Sequence, residues 1–434
     1  MTLTVLPSLP PLPDRPATQA DTAPVLAGRY TLFSRIPVAI DAQGQVHATH
    51  LWQKDLELHL DYLPDFALCC PVIPFDPANT DLRLVHGLHA ARIHPLRRDG
   101  GPGSALVNLL PNFFRVARAV RESRIVHSDG AGWAFPLPFY LLPLHVLRPF
   151  PWVMVIESSF WMQPKTGASL RQRLGHIAHA TLLRRALLRA DLRIFTQDGY
   201  RRFFGIAPER SLIAPAVWID EDQILSRTEA EAARAALPKD EIRLLFPARL
   251  VAEKGVEVVL EAARLLEARL QESYPGGTAH QDLPRLRLDI IGAGPLADMC
   301  RAASAALRGP RITLGVLDPV PYGPDFFALL QRYHAIVLAN RQNEQPRILF
   351  DAFARAVPAV TSATEGVCDM VTDGREALLF GVDDPEAMVA ALLRFAGDAD
   401  LRARLSRGAL ARAQGQSHHA MHRTRARHLA RIFG

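Results

Sequence analysis

The sequence is poor in cysteine, and no framework is built from what it has. Its 434 residues hold four, Cys69 and Cys70 side by side, then Cys300 and Cys368, with no C-x-x-C spacing. That argues against a disulfide scaffold and against the usual zinc spacings, and a reducing cytoplasm is the expected compartment. The opening stretch MTLTVLPSLPPLPDRPATQAD has neither a basic leader nor a continuous apolar run. It is not expected to be a signal peptide, and residues 1–27 read as a disordered, proline-rich lead-in. Long hydrophobic runs are also missing. The most apolar stretch, 133–162, is broken by prolines at 136, 138, 143, 149 and 151 and by Arg148, whereas a spanning helix needs about 20 continuous apolar residues. A short helix and a buried strand are expected there instead. No RNP string and no basic stripe interleaved with aromatics appears, which sets nucleic-acid binding aside. No acidic D-x-D pair closes an expected strand, so no metal site for a diphosphate is expected.

What is present is an ordinary globular composition, 49% hydrophobic and 22% charged. The length suits two domains of about 200 residues each. The formal charge of +6, with 16 histidines uncounted, suits phosphate-bearing ligands or an anionic membrane surface.

Strands alternate with helices from residue 28 to 222. The expected strands are 83–93, 123–127, 152–157, 192–197 and 211–216, with helices at 105–123 and 169–190 whose apolar residues recur at three-to-four spacing. Residues 223–240 are polar and read as a linker. A second alternating series fills 241–415, with strands at 242–248, 286–292, 311–316, 335–340, 358–363 and 377–381. A last helix over 416–434 is a candidate to return to the N-terminal domain. Such alternation predicts α/β architecture: two doubly wound, Rossmann-like domains with a cleft between them.

In parallel sheets, ligands bind beyond the carboxyl ends of the strands. Arg249 and Lys254 of PARLVAEKG follow one such end and place two cations where a diphosphate is neutralised. In IIGAGPLA, Gly292 and Gly294 make a tight turn before a helix expected to start at Pro295. Read literally, Gly292, Gly294 and Ala297 fit the dinucleotide fingerprint, but no strand ends in an acidic residue about 20 positions later, as a nicotinamide site requires. In NRQNEQPRILFDAFARAVPAV, a helix expected from Pro346 offers free N–H groups, and Asp351 a carboxylate for ribose hydroxyls. His127 and Glu157 fall at the expected ends of two N-terminal strands. Trp52, Lys54 and His59 are weaker candidates for the acceptor side.

These residues resemble a known family, the retaining GT-B glycosyltransferases of family 4. Arg249, Lys254 and Gly255 match its phosphate-binding R-x-x-x-x-K-G string, and Gly292, Gly294 and Pro295 its G-x-G-P. Gly315 matches a glycine that begins a loop near the base. Asn343 and Asp351 stand where the family has two Glu residues eight positions apart, with Glu344 beside the first. The segment AFARAVPAV follows as in the family. The resemblance covers 242 to about 415, and more loosely the N-terminal half, where Glu157 stands at a position often held by His.

It implies transfer of a sugar from a nucleotide diphosphate sugar to a glycan or lipid-linked acceptor, with retention, in cell-surface polysaccharide or glycolipid synthesis, and no cofactor or metal. The implied catalytic residues are Arg249, Lys254, Glu344, His127 and Glu157. The implied donor-binding residues are Gly292, Gly294, Gly315, Asn343, Gln345, Pro346, Arg347 and Asp351. The arginine-rich helix at 169–190 extends the expectation to peripheral contact with an anionic membrane, at the inner face of the cytoplasmic membrane. Two alternatives stay open: a nonenzymatic GT-B scaffold that binds a nucleotide sugar or a partner, and an NAD-dependent oxidoreductase.

Overall fold

The computed structural model describes residues 26–130, 135–158, 169–271, 283–307 and 309–434. The lead-in expected over 1–27 lies almost wholly outside the described residues, as do parts of the 133–162 stretch. The described residues form two compact units. One runs to Trp218 and includes His418–Gly434; the other is Ile219–Ser417.

The N-terminal unit holds β1 (Tyr30–Phe33), β2 (Val38–Ile40), β3 (Gln45–Thr49), β4 (Phe66–Pro74), β5 (Leu82–His89), β6 (Ile93–Leu96), β7 (Ile125–Asp129), β8 (Trp152–Ile156), β9 (Leu192–Phe195) and β10 (Ser211–Ile213). Their order is β10-β9-β8-β7-β1-β4-β2-β3-β5, with β6 also pairing β4. The central strands β1 and β4 were not anticipated. The expected strand 83–93 divides into β5, an edge strand antiparallel to β3, and β6, parallel to β4. The helix His418–Phe433 packs in this unit, with Met421, Ala426 and Leu429 in its core.

The C-terminal unit is built on six strands: β11 (Glu241–Pro247), β12 (Arg285–Ile291), β13 (Ile312–Leu317), β14 (Ala335–Leu338), β15 (Ala359–Ser362) and β16 (Ala377–Phe380). They lie in the order β13-β12-β11-β14-β15-β16, and every pair is parallel. Strands covered on both faces read as apolar runs, and β14 is buried along its whole length. The helix Val256–Gln271 turns Val256, Val259, Ala263, Leu266 and Leu270 onto the sheet, the stripe that a 3.6-residue period dictates. Because the sheet starts in its middle at β11 and winds outward in both directions, its topological switch point falls between β11 and β14.

The polar stretch expected to be a linker is structured instead. Ser226 and Glu229 form a reciprocal capping box, with 2.8 Å from Ser226 N to Glu229 Oε2, which starts a helix over Arg227–Ala235. Its Ala230 packs on Ala356 and Leu410 of the C-terminal unit. Capping and one apolar contact outweigh a polar composition.

Candidate functional site

The site is assembled by the loops that leave β11, β12 and β14. After β11 the chain passes Arg249 and a single 3-10 turn, Ala252–Lys254, before Gly255 adopts a left-handed φ of 69°. A Cβ at Gly255 would lie 2.0 Å from the carbonyl oxygen of Ala339, in the loop after β14. Only glycine allows both the φ and the approach. The β12 loop closes on the β11 loop in the same way: a Cβ at Gly292 would lie 1.8 Å from Ala248 O, and one at Gly294 would lie 2.4 Å from Leu250 O. Leu250 N donates to Ala293 O at 2.9 Å and Leu296 N to Leu250 O at 3.1 Å.

Lys254 Nζ lies 3.2 Å from Glu344 Oε2, an ion pair that joins the β11 and β14 loops across the switch point. Arg341 adds to this lacing: its N donates to Glu253 O at 3.0 Å, and its guanidinium meets Glu257 at 3.0 Å and Asp383 at 2.5 Å. Arg249 is exposed, and its guanidinium takes part in no ion pair or hydrogen bond among the described residues. Of the two predicted cations, one is held by a carboxylate and the other stands open to an anion.

Asn343 Oδ1 accepts from Glu365 N at 3.2 Å, which ties the β14 loop to the short helix Glu365–Cys368. Gln345 is half-buried, Pro346 buried and Arg347 exposed. The helix expected from Pro346 runs Ile348–Ala354, and Pro346 contributes the carbonyl that accepts from Leu349 N at 3.0 Å. Likewise the helix expected from Pro295 runs Ala297–Ala306. Asp351 is buried and accepts a 3.0 Å hydrogen bond from Tyr322 Oη. Burial, and then the Asp351 carboxylate, push the Tyr322 hydroxyl well above the ordinary phenol range, so it stays protonated and donates. Tyr322 was missed because nothing local marks a tyrosine 29 positions before its partner.

Gly315 is also placed differently. It lies inside β13, paired with Asp289, rather than at the start of a loop. A Cβ there would lie 2.1 Å from Asp289 Oδ1. The glycine makes room for a buried carboxylate that Tyr333 Oη and Arg287 Nε each meet at 2.8 Å.

In the N-terminal unit, β7 reaches Asp129, so His127 is mid-strand rather than at the strand end. It is buried, with Tyr30 Oη 2.8 Å from its Nδ1. Burial, and then the neighbouring His59, hold its pKa well below the ordinary histidine value, so the ring is neutral. Glu157 does follow the end of β8 and lies 3.6 Å from Arg425 Nη2. Trp52 and His59 are core residues, and Lys54 Nζ donates to Trp218 O at 2.7 Å.

Two Rossmann-like sheets in succession, the second with cations and glycine turns at its switch point, define the GT-B class. Residues 227–412 match the model of the family described as glycosyl transferases group 1. The chain is similar to an alpha-D-kanosaminyltransferase of Streptomyces kanamyceticus, 26% identical over 70% of this chain and 76% of that one. It is also similar to a D-inositol 3-phosphate glycosyltransferase of Streptomyces avermitilis, 27% identical over 47% of this chain; that match spans 43% of the relative, less than half of its length. Among solved structures, a sucrose-phosphate synthase from Thermosynechococcus elongatus aligns with a TM-score of 0.64 at 17% identity, covering 94% of this chain and 99% of that one. Anabaena HepE in complex with UDP-glucose aligns with a TM-score of 0.59 at 12% identity, covering 93% and 100%. These likenesses show the GT-B fold. The family match and the glycosyltransferase relatives support a sugar-nucleotide-dependent transferase. Among the described residues, no helix is long and apolar enough to cross a membrane.

Proposed function

We propose that the chain transfers a hexose or related sugar from a nucleotide diphosphate sugar to a glycan or lipid-linked acceptor, with retention at the anomeric carbon, in cell-surface polysaccharide or glycolipid synthesis. The observation that carries this reading is the exposed Arg249 in the same β11 loop as Lys254, whose pair with Glu344 spans the β11–β14 switch point. As the bond between the anomeric carbon and the diphosphate oxygen breaks, its electrons move to the diphosphate, and fixed cations stabilise that charge without a metal. Lys254 exchanges part of its bond with Glu344 for the phosphate. Asp351, oriented by Tyr322, accepts from ribose hydroxyls, and the Gly292–Gly294 turn lets the donor approach the backbone. Retention rests on the resemblance to family 4. A nucleotide-sugar donor is supported further by the similarity to HepE, whose structure holds UDP-glucose.

Thermal denaturation with UDP, GDP, ADP, their sugar conjugates and NAD tests the donor site. A ligand at about 100 times its Kd adds about 2.7 kcal/mol, and a unit of this size should rise by roughly 5–10 °C. One nucleoside diphosphate and its conjugates are expected to give that shift and Arg249→Ala to reduce it. A shift with NAD alone overturns the reading.

The acceptor side is read as resting on an anionic membrane surface, at the inner face of the cytoplasmic membrane. Leu106, Leu110 and Phe114 on the helix Pro102–Glu122 are 65–66% exposed, and Leu170, Leu174 and Ile177 on the helix Leu170–Arg189 are 57–72% exposed. Each trio is a helical stripe, and exposed Arg118, Arg121, Arg171 and Arg173 stand beside them, the pattern of an interfacial helix. The chain should co-sediment with phosphatidylglycerol-containing vesicles. Each basic residue near such a surface contributes about 1 kcal/mol, so Arg171→Glu with Arg173→Glu should weaken binding at least about 30-fold. Equal binding to neutral vesicles, or none to either, overturns this part.

A further inference from the structure

Two helices of the N-terminal unit each present polar residues at i and i+4. The helix His50–Leu60 carries Asp55 and His59, and the helix His418–Phe433 carries His418 and His422. That spacing puts each pair on one helix face, and the faces meet. All four residues are buried: Asp55 is 7%, His59 2%, His418 0% and His422 2% exposed. Asp55 Oδ1 lies 3.2 Å from His418 Nε2 and 3.1 Å from His422 Nε2, and Oδ2 lies 3.4 Å from His59 Nδ1. Ligating atoms of Asp55, His59 and His422 all fall within 4.8 Å of one another.

The two Nε2 contacts have hydrogen-bond length, and a metal ion would use the same carboxylate and imidazole atoms. A tetrahedral ion with ligand bonds of about 2.0 Å sets its ligand atoms about 3.3 Å apart, close to the 3.1 Å between Asp55 Oδ1 and His422 Nε2. Supporting contacts are also in place. His59 Nδ1 is 2.8 Å from Asp55 O, which leaves its Nε2 lone pair for a metal, and Tyr62 Oη is 3.3 Å from His422 Nδ1. Such partners fix the tautomer and orientation of a ligating imidazole. His418 Nδ1 is buried with no hydrogen-bond partner. Arg425, one turn beyond His422, is buried and faces Glu157 at 3.6 Å.

We propose that Asp55, His59 and His422, with His418 hydrogen-bonded to the same carboxylate, form a structural site for a divalent transition ion of the zinc class, which pins the helix His418–Phe433 to the helix His50–Leu60. Two imidazoles and a carboxylate are ligands such an ion prefers. The proposal concerns a different unit from the donor residues and needs neither nucleotide nor transfer.

The test uses the untagged full chain, stripped with a chelator and then dialysed against zinc or cobalt. Elemental analysis should find one zinc per chain, and the cobalt form should show the intense visible bands of a tetrahedral site. Asp55→Asn and His422→Gln should each lower zinc affinity at least about 100-fold, the upper range for loss of even a supporting group. A folded wild-type chain, judged by circular dichroism, that holds no stoichiometric metal overturns the proposal, as does undiminished zinc in folded His422→Gln. Should both variants fail to fold, the stoichiometry and cobalt spectrum of the wild-type chain decide.

Discussion

Replacing Arg249 and Lys254 together by alanine should lower kcat/KM for sugar transfer by about 10³–10⁴ while the protein stays folded. Removing one preorganised group that stabilises transition-state charge costs about 10²–10³ in rate, and two that act on one diphosphate lose less than the product of the single losses. The fold should survive because of where the side chains sit. Arg249 is exposed, and substitutions at such positions change stability by about 0.5 kcal/mol or less. Lys254→Ala leaves Glu344 without its 3.2 Å partner, but the two side chains are 18% and 25% exposed, so water takes over much of the solvation and a loss of about 1 kcal/mol is expected. Steady-state kinetics and urea denaturation of the single and double variants check this. Arg249→Lys should recover part of the rate, because it restores the charge without the planar fork. Transfer that persists in the double variant, or a rate loss matched by unfolding, would remove these residues from the mechanism.

Gly292→Ala should destabilise the C-terminal unit by about 3 kcal/mol or more. The added methyl would meet Ala248 O at 1.8 Å and Ala248 C at 2.9 Å, so the β12 loop has to retreat from the loop that carries Arg249. Retreat breaks the bonds from Ala248 N to Ile291 O at 3.1 Å and from Leu250 N to Ala293 O at 2.9 Å. Each lost buried bond costs about 1 kcal/mol or more, and backbone strain adds to that. Gly374 supplies the control. Its φ is 74° but nothing lies within 4 Å of the added carbon, so Gly374→Ala should cost only the roughly 1–2 kcal/mol of a left-handed alanine. Urea midpoints of the two variants give the comparison. Equal destabilisation would mean that the close approach at Gly292 has no energetic weight.

Much of the C-terminal unit was legible in the chain itself. Its strands are continuous apolar runs between amphipathic helices, a pattern set within a few residues by the need to bury both faces of a parallel sheet. Strings such as PARLVAEKG and IIGAGPLA are equally local, so residue pattern alone puts the cations and glycines at strand ends. The N-terminal sheet was less readable: β1 has four residues, and β4, FALCCPVIP, carries two cysteines and two prolines, a poor match to strand propensity that burial overrides.

Tertiary structure alone decided which side chains meet. The Lys254–Glu344 pair spans 90 positions and the Tyr322–Asp351 bond 29, both set by sheet order rather than by any local preference. Gly315 serves Asp289 because register puts them side by side. The Asp55, His59, His418 and His422 cluster draws on opposite ends of the chain. Periodicity and turn chemistry act over a few residues and so determine elements; pairing across a sheet or between helices depends on how the whole unit closes, and only the folded chain carries that information.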